Sequence, residues 1–287
     1  MQSSIDNLLP AKRSGSASWS TSINGDTRIV VIVADPVTQV KSPEFFNAHF
    51  AQHGINAVLV PAHVNGDGLQ EAFRGLAAVR NLAGVVVTVP HKVTASVLPG
   101  VRLTERAEAI GAINCVRRLA DGGWLGDNFD GTGFVSGLEQ QGVSLAGKQA
   151  LLVGAAGGAG RALSNALCSA GVGCLRISDI NGDKASTLRA DLQKRYCRVR
   201  LETTAAVAAA GDDLVINASP AGMRTTDPCP VDISHVGENA VVADLIMKPE
   251  KTVLLARAAS KGLKIHPGRH LLLSSVEHIT RFLGLQT

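Results

Sequence analysis

The sequence predicts an α/β protein of two domains. Short apolar runs alternate with helical-period stretches along the chain, the signature of strands interleaved with helices. The 287 residues are 45% hydrophobic but only 3% aromatic, so the core is built from Ala, Val, Leu and Ile, a mix suited to parallel strands covered by helices. The length fits two domains better than one or three. It also buries enough surface, roughly three-quarters of the unfolded chain's, to need no disulfide or metal.

The elements follow in order. Arg28–Val33 is an apolar run read as a strand, closed by a turn at Asp35-Pro36. Ser42-Pro43 reads as a helix start, with Ser at N-cap, Pro at N1 and Glu44 in the first turn. Phe45, Phe46 and Phe50 supply its apolar surface. Ala57–Val60 and Gly84–Val89 read as further strands, separated by a helical stretch around Leu69–Leu82. Gly122–Gly133 is a glycine- and aspartate-rich connector. Beyond it Gln149–Val153 is a strand, Arg161–Ala170 a helix, Cys174–Ser178 a strand and Asp183–Lys194 a helix. Leu214–Ile216 and Ala240–Ala243 are short buried strands. Leu271–Leu285 has helical spacing and is expected to return to the first domain.

Composition excludes several function classes. A net charge of +4, from 28 basic and 24 acidic residues, is scattered, with no Lys/Arg block of the kind that binds nucleic acid. Five cysteines in irregular positions, with no C-x-x-C pair, read as reduced thiols in a cytoplasmic protein, and zinc is not expected. Residues Met1–Asp26 are rich in Ser and Asn and lack the apolar core of a signal peptide, so a frayed leader is expected before Thr27. No apolar run is long enough to span a membrane. The expected partner is a small molecule, and a homodimer is compatible with the sequence.

The strongest local signal is the run Gly154, Ala155, Ala156, Gly157, Gly158, Ala159, Gly160, Arg161, placed between a strand and a helix. Such a turn brings backbone N–H groups and a helix N-terminus up to a pyrophosphate. The spacing departs from a strict G-x-G-x-x-G, since Ala155 holds the first glycine position, and a turn of this kind also serves packing alone. Asp179 ends the next strand about 20 residues beyond Gly160, where a carboxylate accepts from adenine-ribose hydroxyls and repels a 2′-phosphate. This argues for NAD over NADP, although Arg176 and Lys184 flank the position.

Thr88-Val89-Pro90-His91-Lys92 follows a buried strand, which places Lys92 at the sheet edge where open α/β folds bind ligands. Alone, a lysine after a strand is a solvated surface residue, and Asn128-Phe129-Asp130-Gly131 is a turn. In order, however, several motifs resemble the shikimate dehydrogenase family. They are Asp35-Pro36 with Lys41-Ser42-Pro43 and Asn47, Val87 to Lys92, Gly111-Ala112-Ile113-Asn114, and Gly126 to Gly131. The glycine turn, Asn217 to Met223, and Asp244 to Pro249 with Thr252 complete the series. The resemblance implies an N-terminal α/β substrate domain and a Rossmann-type NAD-binding domain, with a nicotinamide facing an alicyclic hydroxy acid. The domains expected are 1–126, completed by 268–287, and 127–267. Lys92 and Asp130 are implied as the catalytic pair, with Gly154, Ala155, Gly157, Gly158, Ala159, Gly160, Asp179, Asn217 and Ser219 at the cofactor.

The substrate pocket departs from the family pattern. Ser42, Thr88 and Asn114 keep it, but Val40 stands where a first serine would hold the substrate carboxylate. Val86 replaces an asparagine, Met247 a tyrosine and Ser275 a glutamine. Each lost charge-assisted hydrogen bond removes on the order of 1.5–3 kcal/mol, which argues against efficient use of shikimate itself. The expected function is NAD-dependent interconversion of a secondary alcohol and a ketone on a shikimate- or quinate-like acid. The same chemistry on a different substrate, and a weak NAD-binding sensor or scaffold, are the alternatives; retention of Lys92 and Asp130 speaks against the last. Arg269 and His270 are candidate replacement contacts to an acid, or a surface Arg and a capping His.

Overall fold

The computed structural model describes residues 23–224 and 226–285. Of the leader expected before Thr27, residues 1–22 lie outside them. The chain divides into two compact units, Met1–Phe129 with Ser275–Thr287, and Asp130–Ser274.

The first unit holds a six-stranded sheet in the order β2-β1-β3-β5-β6-β4. Its strands are β1 (Arg28–Ala34), β2 (Ala57–His63), β3 (Leu82–Val87), β4 (Val101–Leu103), β5 (Cys115–Arg118) and β6 (Trp124–Asp127). The helices are α1 (Ser42–Gln52), α2 (Leu69–Leu76), α3 (Lys92–Ser96) and α4 (Glu105–Ile110). Strand β1 runs parallel to β2 and β3, but β5 is antiparallel to both β3 and β6. The sheet is therefore mixed where a largely parallel one was expected. Part of the Gly122–Gly133 connector is strand β6.

The unbroken apolar run of β1 is explained by burial on both faces. Val30 and Ile32 join Phe46 and Phe50 of α1 in one cluster, which also takes in Val276, Ile279, Leu283 and Leu285. Val31 and Val33 join Leu69 and Phe73 of α2 in the other, as the two-residue period of a strand requires. Helix α1 begins one residue earlier than Ser42 as cap would imply. Lys41 is the N-cap without a side-chain capping bond, and its Nζ donates to Glu44 instead. Ser42 is already helical.

The second unit carries a sheet of six parallel strands in the order β12-β11-β10-β7-β8-β9. These are β7 (Gln149–Val153), β8 (Cys174–Ser178), β9 (Arg200–Thr203), β10 (Leu214–Asn217), β11 (Val241–Asp244) and β12 (Lys264–Pro267). The helices are α5 (Asp130–Gln140), α6 (Gly158–Ser169), α7 (Gly182–Arg195), α8 (Val253–Ser260) and α9 (Gly268–Phe282), whose last turns count with the first unit. Ala150 and Leu152 of β7 face one apolar cluster and Leu151 and Val153 the other. From β7 the chain winds outward first through β8 and β9, then reverses through β10, β11 and β12. This is the doubly wound Rossmann order, and its switch point lies between the C-terminal ends of β7 and β10.

Candidate active site

The glycine turn leaves β7 at the switch point. Gly154 has φ +75°, a left-handed conformation that glycine adopts without cost. A Cβ there would stand 2.6 Å from the backbone nitrogen of Ser219, so the turn is pressed onto the loop after β10. At Gly160 a Cβ would lie 2.2 Å from the Gly154 carbonyl oxygen, whereas at Gly158 it would meet nothing within 4 Å. The turn is thus closed toward the sheet and open at the first residue of α6. There the N–H groups of the first helical turn have no intrahelical acceptor. Arg161 adds a buried Nε that has no hydrogen-bond partner among the described residues. An open, donor-rich cradle of this kind fits the pyrophosphate of a dinucleotide.

Asp179 follows β8, and its carboxylate is engaged by the turn itself. Oδ2 accepts from the backbone N–H of Ala156 at 2.9 Å, and Oδ1 from that of Asn181 at 3.0 Å. Asn181 in turn caps α7 by accepting from the Lys184 N–H. Of the two flanking cations, Arg176 is bound to the buried Asp212 at 2.5 Å. Lys184 stands exposed in the first turn of α7.

At the end of β10 the fully buried Asn217 accepts from the backbone N–H and the hydroxyl of Ser219, at 3.0 and 2.6 Å. Its amide donates to the Ala221 carbonyl and to Asp244 Oδ1, both at 3.1 Å. Asp244 also accepts from Ile246 N–H at 3.1 Å and the Thr252 hydroxyl at 2.7 Å. Burial pushes its carboxyl up to about 6, against the pull of these donors. The side chains of Asn217 and Ser219 are therefore spent on shaping the loop against Gly154. Met247, half-buried, follows in the same segment. Arg269 pairs with Glu250, and His270 Nδ1 lies 2.7 Å from Gln141 Nε2.

In the first unit the parallel strands β1, β2 and β3 deliver their C-terminal ends to one edge. The antiparallel β5 starts at that edge and β6 ends there. Thr88, Lys92 and Asn114 are consequently brought together at that edge, from which the chain leaving β1 runs on through Val40 to Ser42, the first residue of α1. Backbone bonds lock the edge: Thr88 N–H to Val33 (3.2 Å), Ile113 N–H to the Lys92 carbonyl (2.9 Å) and Asn114 N–H to Asp127 (2.9 Å). Val40 packs against the α1 cluster and offers no donor, and Val86 is buried within the sheet. Asn114 Oδ1 accepts from the Phe129 N–H at 2.9 Å, and the Ser275 hydroxyl donates to the Phe129 carbonyl at 3.3 Å. Both side chains thus grip the peptide from which Asp130, the first residue of α5, issues.

Arg106 was not singled out by the sequence motifs, and Asp127 entered only as a member of the Gly126 to Gly131 series. Arg106 holds the buried Asp127 through two bonds, at 3.0 and 2.6 Å, and lies over the Phe129 ring at 4.7 Å. Among the described residues no cluster of His, Cys, Asp or Glu could hold a metal ion, and no helix is long and apolar enough to cross a membrane.

Comparison with known proteins places this architecture. Residues 32–116 match the family described as shikimate dehydrogenase substrate binding domain. A shikimate dehydrogenase (NADP(+)) of Rubrobacter xylanophilus is 39% identical over 254 residues, covering 88% of each chain. A crystal structure of a shikimate dehydrogenase in complex with NADP+ superposes with a TM-score of 0.83 at 29% identity, over 92% of both chains. The 5-ketofructose reductase of Gluconobacter sp. strain CHM43 gives 0.81 at 27% identity, over 90% of this chain and 92% of that one. These relatives correct the expectation of NAD: curated shikimate dehydrogenases to which this chain is similar carry NADP(+) in their names. The physical reason lies in Asp179, whose two oxygens serve the Ala156 and Asn181 N–H groups and so build the turn. Spacing alone had cast it as a ribose acceptor. With the ordered motifs, the two sheets and an identity of 39% across most of its length, this chain belongs to the shikimate dehydrogenase family.

Proposed function

We propose that the protein interconverts a secondary alcohol and a ketone on a polar alicyclic acid of the shikimate or quinate kind, with NADP(H) as the hydride partner. What carries the reading is the convergence of Thr88, Lys92 and Asn114 on one edge of the first unit's sheet. The first unit is assigned to substrate and the second to the dinucleotide. When bound, the dinucleotide accepts or supplies hydride. Lys92 takes the hydroxyl proton as alcohol becomes ketone and returns it in reverse, while Asp130 orients the hydroxyl. Thr88 and Ser42 offer hydroxyls to the substrate, whereas Met247, in place of the tyrosine that the resemblance expects, offers none. The N–H groups after Gly157 receive the pyrophosphate, and Lys184 supplies positive charge for a 2′-phosphate.

Absorbance of reduced nicotinamide tests this with shikimate or quinate and each dinucleotide. Turnover with NADP, falling about 10²–10⁴-fold in Lys92→Ala, is the expected result. Absence of dinucleotide binding would remove the whole reading. A second reading is favoured by Val40, which places an isopropyl group where the resemblance expects a hydroxyl for the carboxylate. On that reading the substrate is an uncharged polyhydroxy ketone, as in the similar 5-ketofructose reductase. Turnover of such ketones without turnover of shikimate would select it.

A further inference from the structure

Three bonds tie together the ends of β1, β2 and β3 just beyond the sheet edge. His91 Nε2 donates to the Val64 carbonyl at 2.7 Å. His63 Nε2 donates to Asp35 Oδ1 at 2.8 Å, and the Asp35 N–H donates to the Val89 carbonyl at 3.2 Å. Because β1 lies between β2 and β3, the His91 side chain strides across the central strand to reach the segment that follows β2. His91 is the N-cap of α3, yet its side chain makes no capping bond. It is 1% exposed, so its single long-range bond is made inside the protein. A carbonyl only accepts, and this fixes the hydrogen on Nε2. The next residue is Lys92, whose own carbonyl is held by Ile113 N–H at 2.9 Å.

We propose that His91, braced by the His63–Asp35 pair, is a positioning residue that sets the direction in which Lys92 leaves the sheet edge. The inference rests on the role given to Lys92 above and adds two histidines that the motif series leaves unassigned. The turn before α3, a helix of five residues, is held by the Asp35 N–H at Val89 and by the Ile113 N–H at Lys92. The His91 bond adds a further anchor, on the segment that follows β2. His63 acts on the same frame from outside, through the residue whose N–H grips Val89.

The test compares His91→Phe, which keeps a ring and loses the donor, with His91→Gln, which restores a donor at similar reach. His63→Ala is an exposed third variant that leaves the core intact. The expected result is a fall in kcat of roughly 10–100-fold for His91→Phe, the scale of a small misplacement of a reacting group, with KM changed less than about threefold. His91→Gln should recover most of the loss, and His63→Ala should show a smaller fall in kcat. In parallel, ¹³C-dimethylated lysines are followed by NMR, with the Lys92 signal assigned through Lys92→Arg. That signal should move toward the exposed-lysine position in His91→Phe while the other lysine signals stay in place. An unchanged kcat and Lys92 signal in folded His91→Phe would overturn the inference. So would equal losses in His91→Phe and His91→Gln. If His91→Phe does not fold, the Gln and His63→Ala variants decide between the same outcomes. Wild-type protein without turnover would count against the proposed function, while the lysine spectrum would still judge the role of His91.

Discussion

Replacing Asp244 by asparagine isolates what it costs to keep an ionised carboxylate inside the second unit. Asp244 is 1% exposed, and burial raises its carboxyl from 3.8 to about 6. A group that holds its proton more tightly when folded opposes folding once ionised. Its contribution is fully present below about pH 3.8 and is lost as pH rises through about 6. At about 1.36 kcal/mol per pH unit the whole gap is worth about 3 kcal/mol, of which about 2–3 kcal/mol falls between pH 4 and pH 7. The geometry suits the substitution. An asparagine oxygen accepts from Asn217 and Ile246 as Oδ1 does now, and its amide donates to the Thr252 hydroxyl, which is able to accept. Urea unfolding of both proteins from pH 4 to pH 7 reads the difference directly. Asp244→Asn should gain about 2–3 kcal/mol on the wild type across that range. Parallel curves, or a gain for the wild type, would refute the assignment of the cost to burial.

His266 has the opposite sign. Burial first, then His270 and Lys264, lower it from 6.5 to about 3, so its contribution is present above pH 6.5 and lost as pH falls toward 3. Relative to His266→Phe, the wild type should lose roughly 4–5 kcal/mol by pH 3 in the same unfolding assay. Between pH 4 and 6 the two groups oppose each other, and only the variant pairs separate them. Gly160→Ala forces a methyl to 2.2 Å from the Gly154 oxygen; calorimetry should show dinucleotide binding lost and scanning calorimetry a stability loss of about 3 kcal/mol. Arg106→Leu leaves the buried Asp127 without its bidentate partner; because the Arg106 side chain is 41% exposed, the expected loss is discounted to roughly 1–3 kcal/mol, read by urea midpoint.

Strands β7 and β8 were legible to the residue because each is a five-residue, mostly apolar stretch between glycine-containing turns. Helix α5 was not. Gly131, Gly133 and Gly137 within its eleven residues argue against a helix on propensity. They are buried there for packing: a Cβ at Gly131 would stand 2.3 Å from the Ala162 carbonyl of α6. The hairpin β5–β6 was missed because Cys-Val-Arg-Arg and Trp-Leu-Gly-Asp show no clean alternation. At the candidate site, the residue types and their order were readable from the motifs. The bonds they make were not. Asn114 to Phe129, Arg106 to Asp127 and His91 to Val64 join positions 15 to 27 residues apart. Asp179 marks the limit of spacing as evidence, since its place in the chain was legible and its hydrogen-bond duties were not.

The core of the first unit includes Val276, Ile279, Leu283 and Leu285, which are synthesised after every strand of both units. All strands of the second unit lie between Gln149 and Pro267, so that unit has every strand available while the first still lacks one wall. On the ribosome the order of completion is therefore inverted relative to the order of translation. The unit made first must wait, with β1 and α1 exposing Val30, Ile32, Phe46 and Phe50, until the final turns of α9 emerge. A stop codon before Ser275 would accordingly spare the doubly wound sheet and leave the N-terminal half as a client for chaperones.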